Sequence, residues 1–227
     1  MFNSWPIISY ILLISFKFCL ADNQNLQDFC PAASTSSNNL NTPIFINGFP
    51  CKNPANVTAS DFKTSILKSA GDTDNFLLSS VNIVTAAEFS GLNTLGLGLA
   101  RTDLEIDGMV TLHSHPRAAE MLFVSKGVVT VGFIDTRNNV FQKILKDGDV
   151  FIIPKGMIHF CYNTGFESAK IFSVLNSQNP GLIDLSGHIF GSNSEAAANM
   201  KKRIIPSFQT KADCHTYRIT SDQHTEL

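Results

Sequence analysis

Beyond about residue 95 the chain alternates apolar and polar positions in short runs, the period of two that a half-buried strand requires. Segments 95–99, 104–106, 121–124, 128–131, 150–153 and 171–175 read as strands, and Gly127, Asn138-Asn139, Asp147-Gly148 and Thr164-Gly165 separate them as turns. Strands at such close intervals predict an antiparallel sandwich or barrel, of which the jelly roll is the version whose interior commonly hosts a metal. The pattern then changes. Residues 194–203 read as a helix capped by Ser194, with Pro206 ending or kinking it, as part of a small helical pair packed outside the barrel or against a partner subunit. The expected fold class is all-β, with a small C-terminal helical extension.

The N-terminus has a different pattern. An apolar run over residues 5–16 leads into Cys19-Leu20-Ala21 and the polar Asp22-Asn23-Gln24. The run is shorter than the roughly 20 residues of a membrane span, and small residues precede a break, so residues 1–21 read as a signal peptide cleaved after Ala21. A buried first strand or an uncleaved anchor is the competing reading. Residues 22–61 form an irregular extension with short β pieces such as 44–46, residues 62–212 the main domain and 213–227 a tail.

Composition adds limits. The 227 residues are 44% hydrophobic and 16% charged, with a net charge of −2, enough for one sizeable core and no electrostatic reason to expect nucleic acid. Eighteen Phe against one Trp fit a β-rich core and imply no cofactor. Export would leave Cys30, Cys51, Cys161 and Cys214. Cys30 and Cys51 are the natural disulfide, because the Ser-, Asn- and Pro-rich stretch between them has little core of its own. Cys161 shares face parity with His159 and reads as a small buried residue pointing into the barrel rather than as a ligand. Cys214 has no evident partner. Asn56-Val57-Thr58 is an N-glycosylation sequon, meaningful if the chain is exported.

The candidate chemistry lies in His113-Ser114-His115, Glu120 and His159. On a strand, positions i and i+2 share a face, so His113 and His115 can aim at one point. Glu120 has the wrong parity for that strand, but a bend at Pro116 would let it open the next strand facing inward. His159 must come from a neighbouring strand. Taken singly, each is as well explained as a surface residue or a satisfied core histidine; together they predict a metal site. Zinc, iron, nickel, copper and manganese all remain open on this donor set. Four protein ligands would leave two octahedral positions free, whereas a closed tetrahedron would be structural zinc.

These residues resemble the germin-like proteins of plants, within the cupin superfamily. The stretch from Gly108 through His113, His115 and Glu120 to Gly127 is similar to the first cupin motif, and Gly148, Pro154, His159 and Asn163 to the second. Gln27-Asp28-Phe29-Cys30, Asn47-Gly48-Phe49-Pro50-Cys51 and Asn176-Ser177-Gln178-Asn179-Pro180-Gly181 are further family-like phrases. The resemblance implies a cupin β-jelly-roll barrel, a Cys30–Cys51 disulfide, and manganese held by His113, His115, Glu120 and His159. It also implies an apoplastic glycoprotein assembled as a hexamer, a trimer of dimers. The chain departs from the pattern at Asp107, where the family often has a glycine. It departs again at Ala100 and Val110, where oxalate-oxidising germins place asparagines that hold the substrate. After Gly191 the match fades.

Two functions follow. One is manganese-dependent superoxide dismutation, with superoxide or another small anion at the metal; without amides at Ala100 and Val110, oxalate oxidation is not expected. The other is a non-catalytic cell-wall metalloprotein, a receptor, an auxin-binding-type module or a structural glycoprotein, since one fold hosts many functions. No separate catalytic nucleophile or acid–base pair is apparent. Arg117 could attract an anion, although a solvated surface arginine explains it as well. The terminal His224-Thr225-Glu226-Leu227 is a weak match to an endoplasmic-reticulum retention signal.

Overall fold

A computed structural model describes residues 27–33, 48–185 and 194–209 of the chain. The expected signal peptide, the β piece at 44–46, Cys214 and the terminal tetrapeptide lie outside the described residues.

Among the described residues ten antiparallel strands form two sheets, ordered β1-β2-β9-β4-β7 and β10-β3-β8-β5-β6. The strands are β1 Ser79–Val84, β2 Gly98–Leu104, β3 Met109–Ser114, β4 Glu120–Lys126, β5 Val129–Ile134, β6 Val140–Leu145, β7 Val150–Ile153, β8 Ile158–Asn163, β9 Ala169–Leu175 and β10 Ile183–Asp184. Inward positions alternate most clearly along β8 and β9. In β9, Ala169, Ile171, Ser173 and Leu175 are buried, while Lys170, Phe172 and Val174 face outward. Leu104, Leu122, Val124, Val129, Val131, Ile153 and Ile171 close the space between the sheets as one core. Each such side chain contributes about 1.5–3 kcal/mol by leaving water.

Two strand expectations fail. Segment 95–99 is a turn as far as Gly96, whose φ of +65° breaks extended backbone, and the strand begins only at Gly98. Segment 104–106 is the end of β2 followed by a turn, not a strand of its own. The leucine spacing at 95 and 97 mimics a half-buried strand, yet both side chains are exposed on the turn. Strands β1, β6 and β10 were not anticipated. The β6 sequence Val140-Phe141-Gln142-Lys143-Ile144-Leu145 lacks alternation because its side chains are exposed on both faces up to Leu145.

Ahead of the barrel the chain is irregular, with short 3-10 turns at Pro54–Asn56, Ala59–Phe62 and Ile66–Lys68. Cys30 and Cys51 are joined as a disulfide, with Cα atoms 4.8 Å apart. Asn93 holds the bridged segment on the barrel: its amide donates to the carbonyls of Cys30 and Phe49, each at 2.9 Å, and its Oδ1 accepts from Phe49 N at 2.9 Å. Arg101 secures the next stretch. Its guanidinium pairs with Asp103 at 2.7 Å and donates to the carbonyls of Leu67 and Lys68.

Helix α1 spans Glu195–Gln209. Ser194 caps it, its hydroxyl accepting from Ala197 N at 3.1 Å. The helix continues past Pro206, so the proline does not end it; Leu185 is itself helical, and residues 186–193 after it lie outside the described residues.

Candidate metal centre

The four site residues come from three strands and one turn. His113 is the penultimate residue of β3 and the register partner of His159 on β8. A register irregularity between Val110 and His113 re-aims this end of β3. Strand β3 stops at Ser114, so His115 lies just past its end, yet it converges with His113 as the i, i+2 spacing predicts; the turn at Pro116-Arg117 follows. Glu120 opens β4 from the opposite sheet, as the bend at Pro116 predicts. The ligand-type atoms of all four residues lie within 4.8 Å of one another.

Backbone carbonyls set the orientation of each ring. His113 Nδ1 lies 2.8 Å from Thr111 O, His115 Nδ1 2.7 Å from Gly181 O, and His159 Nδ1 2.9 Å from Met157 O. A carbonyl only accepts, so each Nδ1 carries the proton, and the neutral ring presents an Nε2 lone pair. Glu120 Oε2 is 3.2 Å from His159 Nε2 and 3.5 Å from His115 Nε2. Glu120 Oε2 and His159 Nε2 are buried without a hydrogen-bond partner. Lone pairs facing one another at this range are costly unless positive charge lies between them. A cation at the point of convergence would satisfy all four donors.

The electrostatics agree. Burial, with charge on His159 and His115 acting in the same sense, lowers His113 to about 4, so that imidazole is neutral and free to ligate near neutrality. Burial by itself would raise the Glu120 carboxyl. Proximity to His159, with the Ser173 hydroxyl and His115 acting in the same sense, outweighs it and holds the group at about 2. The carboxylate is therefore ionised and seeks a positive partner.

Ala100, Val110, Leu122, Ile153 and Phe160 line the remaining space with the four residues. That space is about 30 Å³, room for about two water-sized occupants. Ala100 and Val110 thus do face the site, and neither offers a polar group to it. Ser173 was missed as a site residue. Its signal was a hydroxyl at an inward position of an otherwise apolar strand.

The other singled-out residues resolve as follows. Asp107 adopts φ +61°, the left-handed conformation a glycine would take there, and its carboxylate accepts from Tyr162 OH at 3.0 Å. Arg117 is exposed but engaged, its guanidinium donating to Asn179. Cys161 is buried beside His159's face of β8, a free thiol pushed up to about 12 by burial and then by the Glu120 charge. Asn56 is exposed at the end of a 3-10 turn.

A cupin family model matches residues 65–200. The germin-like protein subfamily 3 member 4 of Arabidopsis thaliana is 56% identical over 174 residues, 77% of this chain and 80% of that protein. A recombinant oxalate oxidase in complex with glycolate superposes with a TM-score of 0.71 at 32% identity, over 80% of this chain and 90% of that one. Peruvianin-I, described as a cysteine peptidase from Thevetia peruviana latex, superposes with a TM-score of 0.63 at 42% identity, over 72% of this chain and 97% of that one.

Proposed function

This chain belongs to the germin-like proteins of the cupin superfamily, and from that premise we propose that it is a secreted manganese protein with superoxide dismutase activity and without oxalate oxidase activity. One observation carries the metal reading: buried Glu120 Oε2 and His159 Nε2 lack partners in a cluster whose imidazoles are all anchored through Nδ1. His113, His115, Glu120 and His159 would hold the ion. Manganese bound there supplies one-electron redox chemistry with positions left open to a small anion. The chain's own part is to orient four donors, keep the His113 imidazole neutral and restrict what enters.

That restriction disfavours oxalate. A dicarboxylate needs donors to orient it, and Ala100 and Val110 supply none in a space of about 30 Å³. Superoxide needs far less room. The cysteine chemistry named for Peruvianin-I has no support among the described residues, since Cys30 and Cys51 are bridged and Cys161 is buried with its thiol pushed up to about 12.

The Cys30–Cys51 disulfide supports export to an oxidising compartment, the apoplast, after cleavage of residues 1–21. Exposed Asn56 would then be available for glycosylation. A hexamer built as a trimer of dimers fits the apolar outer face of β4, β7 and β9. There Met121 pairs with Ile152 and Val174, and Phe123 with Val150 and Phe172, most of them exposed. The deciding experiment is elemental analysis of the natively purified protein, followed by superoxide and oxalate assays on the same sample. Stoichiometric manganese with accelerated superoxide decay supports the proposal; a fully loaded protein no faster than free manganese leaves a non-catalytic metalloprotein.

A further inference from the structure

The turn between His115 and Glu120 is held from outside by one strap, residues 176–181, which follows β9. His115 Nδ1 donates to Gly181 O at 2.7 Å. Arg117 N donates to Pro180 O at 3.1 Å, Ala119 N to Asn176 Oδ1 at 2.8 Å, and Asn176 N back to Ala119 O at 3.3 Å. Every second residue from His115 to Ala119 is therefore fastened to the strap.

The clasp is the Arg117 side chain. Its Nε donates to Asn179 O at 2.7 Å and its Nη2 to Asn179 Oδ1 at 2.8 Å. The guanidinium also lies flat against Gly181, where an added Cβ would come within 2.9 Å of Nη2 and 3.1 Å of Cζ. Gly181 has φ +71°, which favours glycine in its own right. Arg117 thus presses on the residue whose carbonyl fixes the His115 ring.

We propose that Arg117 is a positioning residue for the metal centre: clasped to Asn179, it holds the 176–181 strap so that Gly181 O keeps the His115 Nε2 lone pair aimed at the ion. This inference rests on the metal reading above. Partners that orient a ligand in this way are worth roughly 10- to 100-fold in metal affinity. The guanidinium fork matters, since a lysine ammonium donates to the same oxygens without the planar geometry.

The test uses the full-length secreted protein stripped of metal and titrated with manganese(II), free ion being followed by its paramagnetic resonance signal. Arg117→Met and Asn179→Ala should each weaken manganese binding roughly 10- to 100-fold and alter the resonance spectrum of the bound ion. The double variant should be no worse than Arg117→Met alone, because Asn179→Ala removes only the Nη2 bond and Arg117→Met removes both. Arg117→Lys should recover part of the loss. The melting temperature of the metal-free variants should match that of Arg137→Met, an exposed arginine elsewhere. Unchanged affinity in both single variants, with or without a lower metal-free melting temperature, overturns the inference alone. A wild-type protein that takes up no manganese overturns the metal reading and this inference with it.

Discussion

His113 and His159 are register partners on adjacent strands, and their ring centroids stand 3.9 Å apart. Neither ring can be removed without leaving the other facing empty space and an ionised Glu120. His113→Ala and His159→Ala are each expected to abolish stoichiometric manganese. Elemental analysis of the two purified variants checks this, and metal content equal to wild type would remove the site assignment.

Acid should strip the ion within a defined window. His113 is held at about 4 against an ordinary 6.5, so between these values the unfolded chain binds a proton that the folded one refuses, and this residue's contribution to stability falls as pH drops. Glu120, held at about 2 against an ordinary 4.5, contributes fully above 4.5 and loses that contribution as pH falls toward 2. Both signs agree. Metal should be retained on dialysis at about pH 5 and released on further acidification, and a release midpoint near the ordinary histidine value would contradict the burial argument.

Activity should follow the carboxylate. Glu120→Ala removes the only charged ligand and is expected to eliminate superoxide decay above that of free manganese. The wild-type protein should release no peroxide from oxalate. Robust peroxide release would show that Ala100 and Val110 do not matter as argued.

The disulfide should be worth about 3 kcal/mol, the chain-entropy estimate for a closed loop of this length, given the separation of 21 residues between its cysteines. Denaturant unfolding of Cys30→Ala/Cys51→Ala against wild type measures it. A peptide map of unreduced secreted protein showing both thiols free would contradict the compartment as well.

Assembly should depend on the outer face of β4 and β7. Met121→Lys and Ile152→Lys place charge where two exposed apolar side chains pair across the ladder. Light scattering should show smaller particles for the double variant than for wild type, with metal content unchanged.

The sequence was legible where one physical rule dominated. His113, Glu120 and His159 could be placed from strand parity and the bend at Pro116, and Cys161 from sharing parity with His159. Legibility failed where tertiary contacts override local pattern. Leu95 and Leu97 alternate like a strand, but the backbone at Gly96 turns there. His115 converges with His113 as its spacing predicts, but nothing local reveals that its ring is anchored by Gly181, a residue 66 positions away. Arg117 looked like a solvated side chain because nothing local reveals Asn179 as its partner. Pro206 read as an end or a kink, and α1 does not end there.

Glu120 belongs to one sheet, while His113 and His159 belong to the other. An ion gripped by both would be a rivet through the sandwich, so opening the sheets and losing the ion become one event. Folding and metal supply are then thermodynamically linked: each tenfold rise in free ion above the dissociation constant adds about 1.4 kcal/mol to the folded state. A secreted chain of this kind would owe part of its durability to the mineral content of its surroundings, and would be most exposed to unfolding and proteolysis wherever a chelator keeps that content low.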